Sequence, residues 1–166
     1  MLDERTTVGL DVHARSVVAE AVDWSTGQVF STRLVPTSEV VLEWVSSLPG
    51  PVAVTYEAGP TGFGLARAFT AAGVRCVVVA PSKLERPPGD RVKTDRRDAR
   101  RLARLLHIGE VGGIRVPTVQ EEDARDLVRA RDDARADLMR APASALETVA
   151  APWCRLLRWE RLDRGP

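Results

Sequence analysis

Two carboxylates, Asp95 and Asp98, lie inside the most basic segment of the chain. Residues 75–105 contain ten lysines or arginines and four acids. If a helix begins near Thr94, a natural N-cap, two residues three positions apart project from one face of that helix. Acids in a basic stretch suit a metal-dependent phosphodiester site, because they bind the cation while the arginines bind phosphates. The alternative is a solvated helix that its Asp/Arg pairs merely support.

Composition limits the class of protein. The chain has 166 residues and a formal net charge of +1. It is long enough for one well-buried domain with a helical extension, and any nucleic-acid role must come from local clustering of charge. Its two cysteines, Cys76 and Cys154, have no second Cys or His at zinc-ligand spacing. The charged N-terminus and the lack of a long apolar run predict a cytoplasmic protein without a membrane span.

Three β-prone runs open the chain. Residues 6–13 alternate apolar and polar side chains, and Asp11 is one of the polar ones. Two further runs, 16–24 and 28–35, follow after short connections. Consecutive strands with short connections predict an antiparallel meander.

Helices then alternate with buried strands. Residues 52–57 form a nearly continuous apolar run that ends at Glu57, and residues 74–80 form another. Helices are predicted at 38–48, 61–72 and 94–107, the last one after a proline-rich loop at 81–89 without regular structure. Strands joined by helical crossovers run parallel, so the fold class is α/β, with a mixed five-stranded sheet flanked by helices.

This order of elements resembles the ribonuclease H-like fold. In that fold the first and fourth strands lie side by side at the centre of the sheet, so Asp11 and Glu57 converge there. The last helix of the domain then brings Asp95 and Asp98 over the same place. Four crowded carboxylates favour divalent cations, with Mg²⁺ the natural occupant of an all-oxygen site. Two such ions support in-line displacement at phosphorus.

Each of these side chains also has an ordinary structural interpretation. Asp11 can be a strand-edge acid, Glu57 a strand-end residue before a turn, and His13 a partly buried structural histidine. The occurrence of all the acids in this order favours a functional site.

Three blocks of sequence carry a family resemblance. They are Gly9-Leu-Asp-Val-His13, Tyr56-Glu-Ala-Gly-Pro60 and Lys93-Thr-Asp-Arg-Arg-Asp-Ala99. In this order they resemble the signature blocks of the DEDD transposases of the IS110 insertion-sequence family, which are related to Piv-type DNA invertases. The resemblance implies a RuvC-like domain whose catalytic residues, also ligands of Mg²⁺ or Mn²⁺, are Asp11, Glu57, Asp95 and Asp98.

The resemblance also implies partners. Family members cut and rejoin DNA, and in one branch a structured guide RNA directs them. The predicted helix at 118–140 resembles the family's coiled-coil segment, which implies a homo-oligomer. Contacts to phosphates would come from the basic residues in and after the third block, namely Lys93, Arg96, Arg97, Arg100, Arg101 and Arg104.

The resemblance divides the chain into three segments. Residues 1–110 are the RuvC-like DEDD catalytic domain, 111–140 a connector with a long coiled-coil-like helical arm, and 141–166 a segment of different composition. Family members continue into a second domain that supplies a serine nucleophile, which no serine here matches, Ser144 included. We therefore expect a frameshifted or disordered tail, and a chain that is incomplete for transposition.

Other functions fit parts of the sequence. A non-catalytic nucleic-acid-binding or dimerisation module would use only the basic helix and the arm. A stand-alone RuvC-like junction nuclease would cleave branched DNA unaided. A sugar-kinase-like or acetate-kinase-like ATPase is disfavoured, because no glycine-rich phosphate loop follows the first strand.

Overall fold

The computed structural model of the chain describes residues 4–83 and 94–141. Lys93, most of the proline-rich loop and the predicted tail from residue 142 lie outside the described residues. The chain divides into two compact units, with the division between Pro117 and Thr118.

A five-stranded sheet in the order β3-β2-β1-β4-β5 forms the first unit. Antiparallel pairs join β2 to β1 and to β3, whereas β4 runs parallel to β1 and β5 runs parallel to β4. This is the predicted ribonuclease H-like arrangement, and it confirms the mixed sheet with the first and fourth strands as neighbours. The strands are β1 (Thr6–Val12), β2 (Val17–Asp23), β3 (Val29–Leu34), β4 (Val52–Glu57) and β5 (Arg75–Val79).

Three helices of the first unit flank the sheet: α1 (Ser38–Ser46), α2 (Gly64–Ala71) and α3 (Asp95–Ile108). α2 begins later than the predicted residue 61, because Gly62 has a φ of 74°, outside the right-handed helical region. A short 3₁₀ turn at Pro81–Lys83 corrects the expectation that the proline-rich loop lacks regular structure. Proline has a fixed φ that suits the first position of such a turn.

The two faces of the sheet are covered by different helices. Alternation along β1 directs Val8 and Leu10 into the hydrophobic core, which α1 and α2 complete. The opposite face, which includes Gly9, contacts α3. The helix buries four apolar side chains there, those of Ala99, Leu102, Ala103 and Leu106.

The second unit contains one long helix, α4 (Val119–Arg140), as the sequence predicts. Its first turn is closed by a capping box. The Glu121 carboxylate accepts from the Thr118 backbone N–H at 2.8 Å, and the Thr118 hydroxyl accepts from the Glu121 N–H at 3.2 Å. No residue of α4 is buried. Among the helices of residues 4–83 and 94–141, none combines the length and apolar character needed to cross a bilayer.

Candidate functional site

An acidic group lies at the carboxyl end of β1. Asp11 belongs to β1, His13 follows in the turn to β2, and Asp95 is the first residue of α3. Each offers one ligand atom, and these three atoms lie within 4.8 Å of one another. The Nε2 atom of His13 is 3.0 Å from Oδ2 of Asp11. The fold therefore brings two of the predicted acids together from distant parts of the chain.

His13 is more exposed than a partly buried structural histidine would be. Its side chain is 56% exposed, because it lies just beyond β1 in a surface turn, so the expectation of partial burial is wrong. The sequence does contain a signal that His13 lies near Asp11. The two residues are two positions apart, and alternate residues of an extended chain project to the same side.

Glu57 and Asp98 lie near this group without belonging to it. The pairing of β1 with β4 places Leu10 opposite Tyr56, so Asp11 and Glu57 occupy the next positions on neighbouring strands. Asp98 is half-buried in the first turn of α3. In the described part of the chain, Asp11, His13 and Asp95 are the acidic and histidine residues whose ligand atoms come this close.

Small residues allow α3 to approach β1. A Cβ atom at Gly9 would stand 1.8 Å from the carbonyl oxygen of Ala99 and 2.8 Å from the nitrogen of Ala103. Thr7, on the same face of β1, donates its hydroxyl to the Ala103 carbonyl oxygen at 2.8 Å. The helix begins where predicted, because the Thr94 side chain accepts a hydrogen bond from a backbone N–H of the first turn. Asp95 is thereby held over the end of β1.

Two of the predicted phosphate-binding arginines bind a carboxylate of the protein itself. Glu20 in β2 has a side chain that is only 1% exposed. Its Oε1 lies 3.2 Å from Arg96 Nε, and its Oε2 lies 3.1 Å from Arg100 Nη2. A buried carboxylate needs such partners, because an uncompensated charge in the interior is costly. Arg96 and Arg100 therefore hold α3 against β2, although their side chains remain 69% and 47% exposed.

The other predicted contacts of α3 lie away from the sheet. Arg97, Arg101 and Arg104 follow the spacing i, i+4 and i+7, which places them on one side of the helix, opposite its buried residues. Arg97 and Arg104 are exposed, and Arg101 is half-buried. This side of α3 is an outward basic stripe.

Arg33 is a further cation at the acidic group. Its Nη2 lies 3.4 Å from Oδ2 of Asp95, and its Nη1 donates to the Ser16 hydroxyl at 2.9 Å. No spacing or motif marks Arg33 in the sequence, where it is one polar residue of a predicted strand. Only the pairing of three strands and the docking of α3 bring it to Asp95.

The strand order, together with acids of β1 and α3 that meet at the carboxyl end of the central strand, defines a ribonuclease H-like fold with an acidic group beside a basic helix. The sequence model of one protein family, the DEDD transposases of the IS110 type, matches residues 8–149 of this chain. The chain belongs to this transposase family.

Two relatives carry matching names. The protein y4qE of Sinorhizobium fredii, named as a candidate transposase, is 44% identical over 132 residues, which are 76% of this chain and 34% of that protein. The transposase for insertion sequence element IS1533 of Leptospira borgpetersenii is 33% identical over 144 residues, 84% of this chain and 42% of that protein. The chain thus matches less than half the length of either relative.

Among solved structures, the catalytic core domain of BIV integrase is similar with a TM-score of 0.31 and 14% identity, over 76% of this chain and 97% of that one.

Proposed function

We propose that Asp11, Glu57, Asp95 and Asp98 form a divalent-metal centre that cuts phosphodiester bonds of DNA during transposition of an insertion sequence. The observation that carries this proposal is the convergence of Asp11, His13 and Asp95, whose ligand atoms lie within 4.8 Å. Membership of the DEDD transposase family supports it.

The chemistry of these side chains suits such a metal. Carboxylate oxygens are the ligands that Mg²⁺ and Mn²⁺ prefer. Two carboxylates at this separation repel each other, and a shared cation removes that repulsion. Asp11 and Asp95 are half-buried, so the group is shielded yet open to a substrate. When bound, the metal would lower the pKa of a bound water and stabilise charge on the phosphate.

The basic side chains would bind and position the DNA. Arg97, Arg101 and Arg104 would hold the phosphate backbone along the outward stripe of α3, with Lys93 just before the helix. Arg96 and Arg100 would add positive potential while they remain bound to Glu20. Contacts of this kind position DNA without reading its sequence.

The chain would also have partners other than DNA. Exposed apolar residues on α4, among them Leu127 and Val128, would pair with the same helix of a second copy to form a homo-oligomer. We also propose a structured guide RNA as a second nucleic-acid partner, as in one branch of the family that the signature blocks resemble. A serine nucleophile from a further domain would act with the metal centre on DNA in the cytoplasm.

The first test is metal binding by the full chain and by Asp11→Asn, measured by calorimetric titration with Mn²⁺. We expect Asp11→Asn to weaken binding by at least roughly tenfold, since even outer-shell changes at metal sites cost this much. Asp132→Asn, which removes a 64% exposed carboxylate of α4, is the matched control and should bind as the natural chain does. Equal affinity in all three proteins would refute the metal centre.

The second test is cleavage of branched DNA with Mg²⁺ or Mn²⁺. We expect cleavage that depends on the metal and is lost in Asp11→Asn. If the chain binds both metal and DNA but never cleaves, it acts by itself as a non-catalytic binding module, and cleavage requires the serine of the further domain.

A further inference from the structure

Arg33 contacts the acidic group from outside the three signature blocks. Its guanidinium lies between Asp95, at 3.4 Å, and the Ser16 hydroxyl, at 2.9 Å. The sheet register places Asp11 opposite Val18, and Val18 opposite Arg33. Directly opposed side chains project to the same face of a sheet. The guanidinium therefore lies on the face that carries Asp11 and that α3 covers.

Asp95 thus has two competing cationic partners, the divalent ion of the proposed centre and Arg33. Like charges at close range repel, so the guanidinium must move away from Asp95 when an ion binds. The Arg33 side chain is 64% exposed, which leaves it room to do so.

A guanidinium released beside a metal centre has an obvious second partner. Its planar fork of N–H donors matches the oxygens of a phosphate group, often with two parallel hydrogen bonds. Arg33 lies on the edge strand β3, where a DNA backbone can reach it. Its position next to Asp95 would place that phosphate close to the reacting bond.

We propose that Arg33 is a phosphate-binding residue of the active centre, which neutralises Asp95 in the metal-free chain and contacts the DNA backbone in the metal-loaded chain. This inference rests on the metal centre proposed above. Arg33 therefore has opposite effects on the two ligands: it weakens metal binding and strengthens DNA binding.

The first measurement is Mn²⁺ affinity without DNA. Arg33→Gln removes the competing cation, so we expect affinity to rise by roughly threefold, within the range of exposed charge pairs. Arg33→Lys keeps the charge and should bind Mn²⁺ like the natural chain. Arg75→Gln is the matched control, because Arg75 is 44% exposed and pairs with Glu4 at the opposite end of the sheet. This control should leave Mn²⁺ affinity unchanged.

The second measurement is affinity for a labelled DNA duplex in the presence of Ca²⁺, a divalent ion with the same preference for oxygen. We expect Arg33→Gln to weaken binding by roughly tenfold, the size of a hydrogen bond to a charged group. Arg33→Lys should also weaken binding, because an ammonium lacks the planar fork. Arg75→Gln should bind nearly as the natural chain does.

The two proposals fail in different ways. If Asp11→Asn weakens Mn²⁺ binding but Arg33→Gln leaves it unchanged or weaker, the metal centre stands and the inference about Arg33 is overturned. Equal losses of DNA affinity in Arg33→Gln and Arg75→Gln would also overturn it, because they would show only a general effect of charge. If Asp11→Asn has no effect on Mn²⁺ binding, the metal centre fails and the inference fails with it.

Discussion

Gly9 of β1 lies so close to Ala99 of α3 that a Cβ atom at Gly9 would stand 1.8 Å from the Ala99 carbonyl oxygen. Real Cβ contacts stay beyond 3.0 Å, and here the opposing atom is backbone, which cannot turn aside. Asp95 lies one helical turn before Ala99, so this contact sets how far Asp95 stands from Asp11. The glycine of the first signature block therefore has a packing role in the acidic group.

Gly9→Ala should damage both stability and the acidic group. The added methyl must push α3 away from β1, and overpacking of this kind costs about 1–3 kcal/mol. We expect urea unfolding at lower concentration and weaker Mn²⁺ binding. Gly64→Ala is the control, because a Cβ at Gly64, the first residue of α2, meets nothing within 4 Å. If Gly9→Ala is as stable as Gly64→Ala and binds Mn²⁺ normally, the packing role is wrong.

Glu20→Gln should lower the stability of the fold without lowering its affinity for nucleic acid. The change leaves Arg96 and Arg100 without their buried charged partner, and we expect a loss of about 1–3 kcal/mol in the free energy of unfolding, reduced by the exposure of both arginines. Affinity for DNA should stay the same or rise, because one negative charge beside the basic helix is lost.

Chemical denaturation and a DNA-binding titration measure these two effects. Glu43→Gln changes an exposed acid of α1 and should alter neither quantity. A large fall in DNA affinity in folded Glu20→Gln would contradict the separation, since it would mean that Arg96 and Arg100 need Glu20 to present themselves to phosphate.

Asp23 should contribute to the acid dependence of stability. Arg5 donates to its carboxylate at 2.7 Å, and the hydroxyl and backbone N–H of Ser25 donate to it at 2.7 Å and 2.9 Å. These hydrogen bonds, that of Arg5 first, hold the pKa of Asp23 well below its ordinary value. A carboxyl group with a lowered pKa in the folded state stabilises the fold above its ordinary pKa, and this contribution is lost as the pH falls towards the folded value.

Asp23→Asn should therefore lower the melting temperature near neutral pH, and its stability should fall less steeply with acid than that of the natural chain. Thermal unfolding between about pH 7 and about pH 2 measures this difference. Asp132→Asn, an exposed change on α4, should follow the natural curve. Parallel curves for Asp23→Asn and the natural chain would contradict the prediction.

Local patterns predicted the elements of the fold well where their ends carry clear signals. The bounds of β4 match the prediction, because an apolar run lies between prolines and a glycine-proline turn. The start of α3 matches because Thr94 is an N-cap. The start of α2 did not follow from periodicity, since the positive φ of Gly62 is a property of the folded loop.

The sequence by itself determined the order of strands and helices, the mixed sheet and the family, because periodicity, connection length and short motifs are local properties of the chain. Tertiary structure decided which side chains meet. It joined Asp11 and Asp95 with His13, left Glu57 and Asp98 beside them, and gave Arg96 and Arg100 a partner in Glu20. Arg33 and Asp95 stand 62 positions apart in the chain. Their contact depends on strand register and on the approach of a helix to a glycine, which no local pattern encodes.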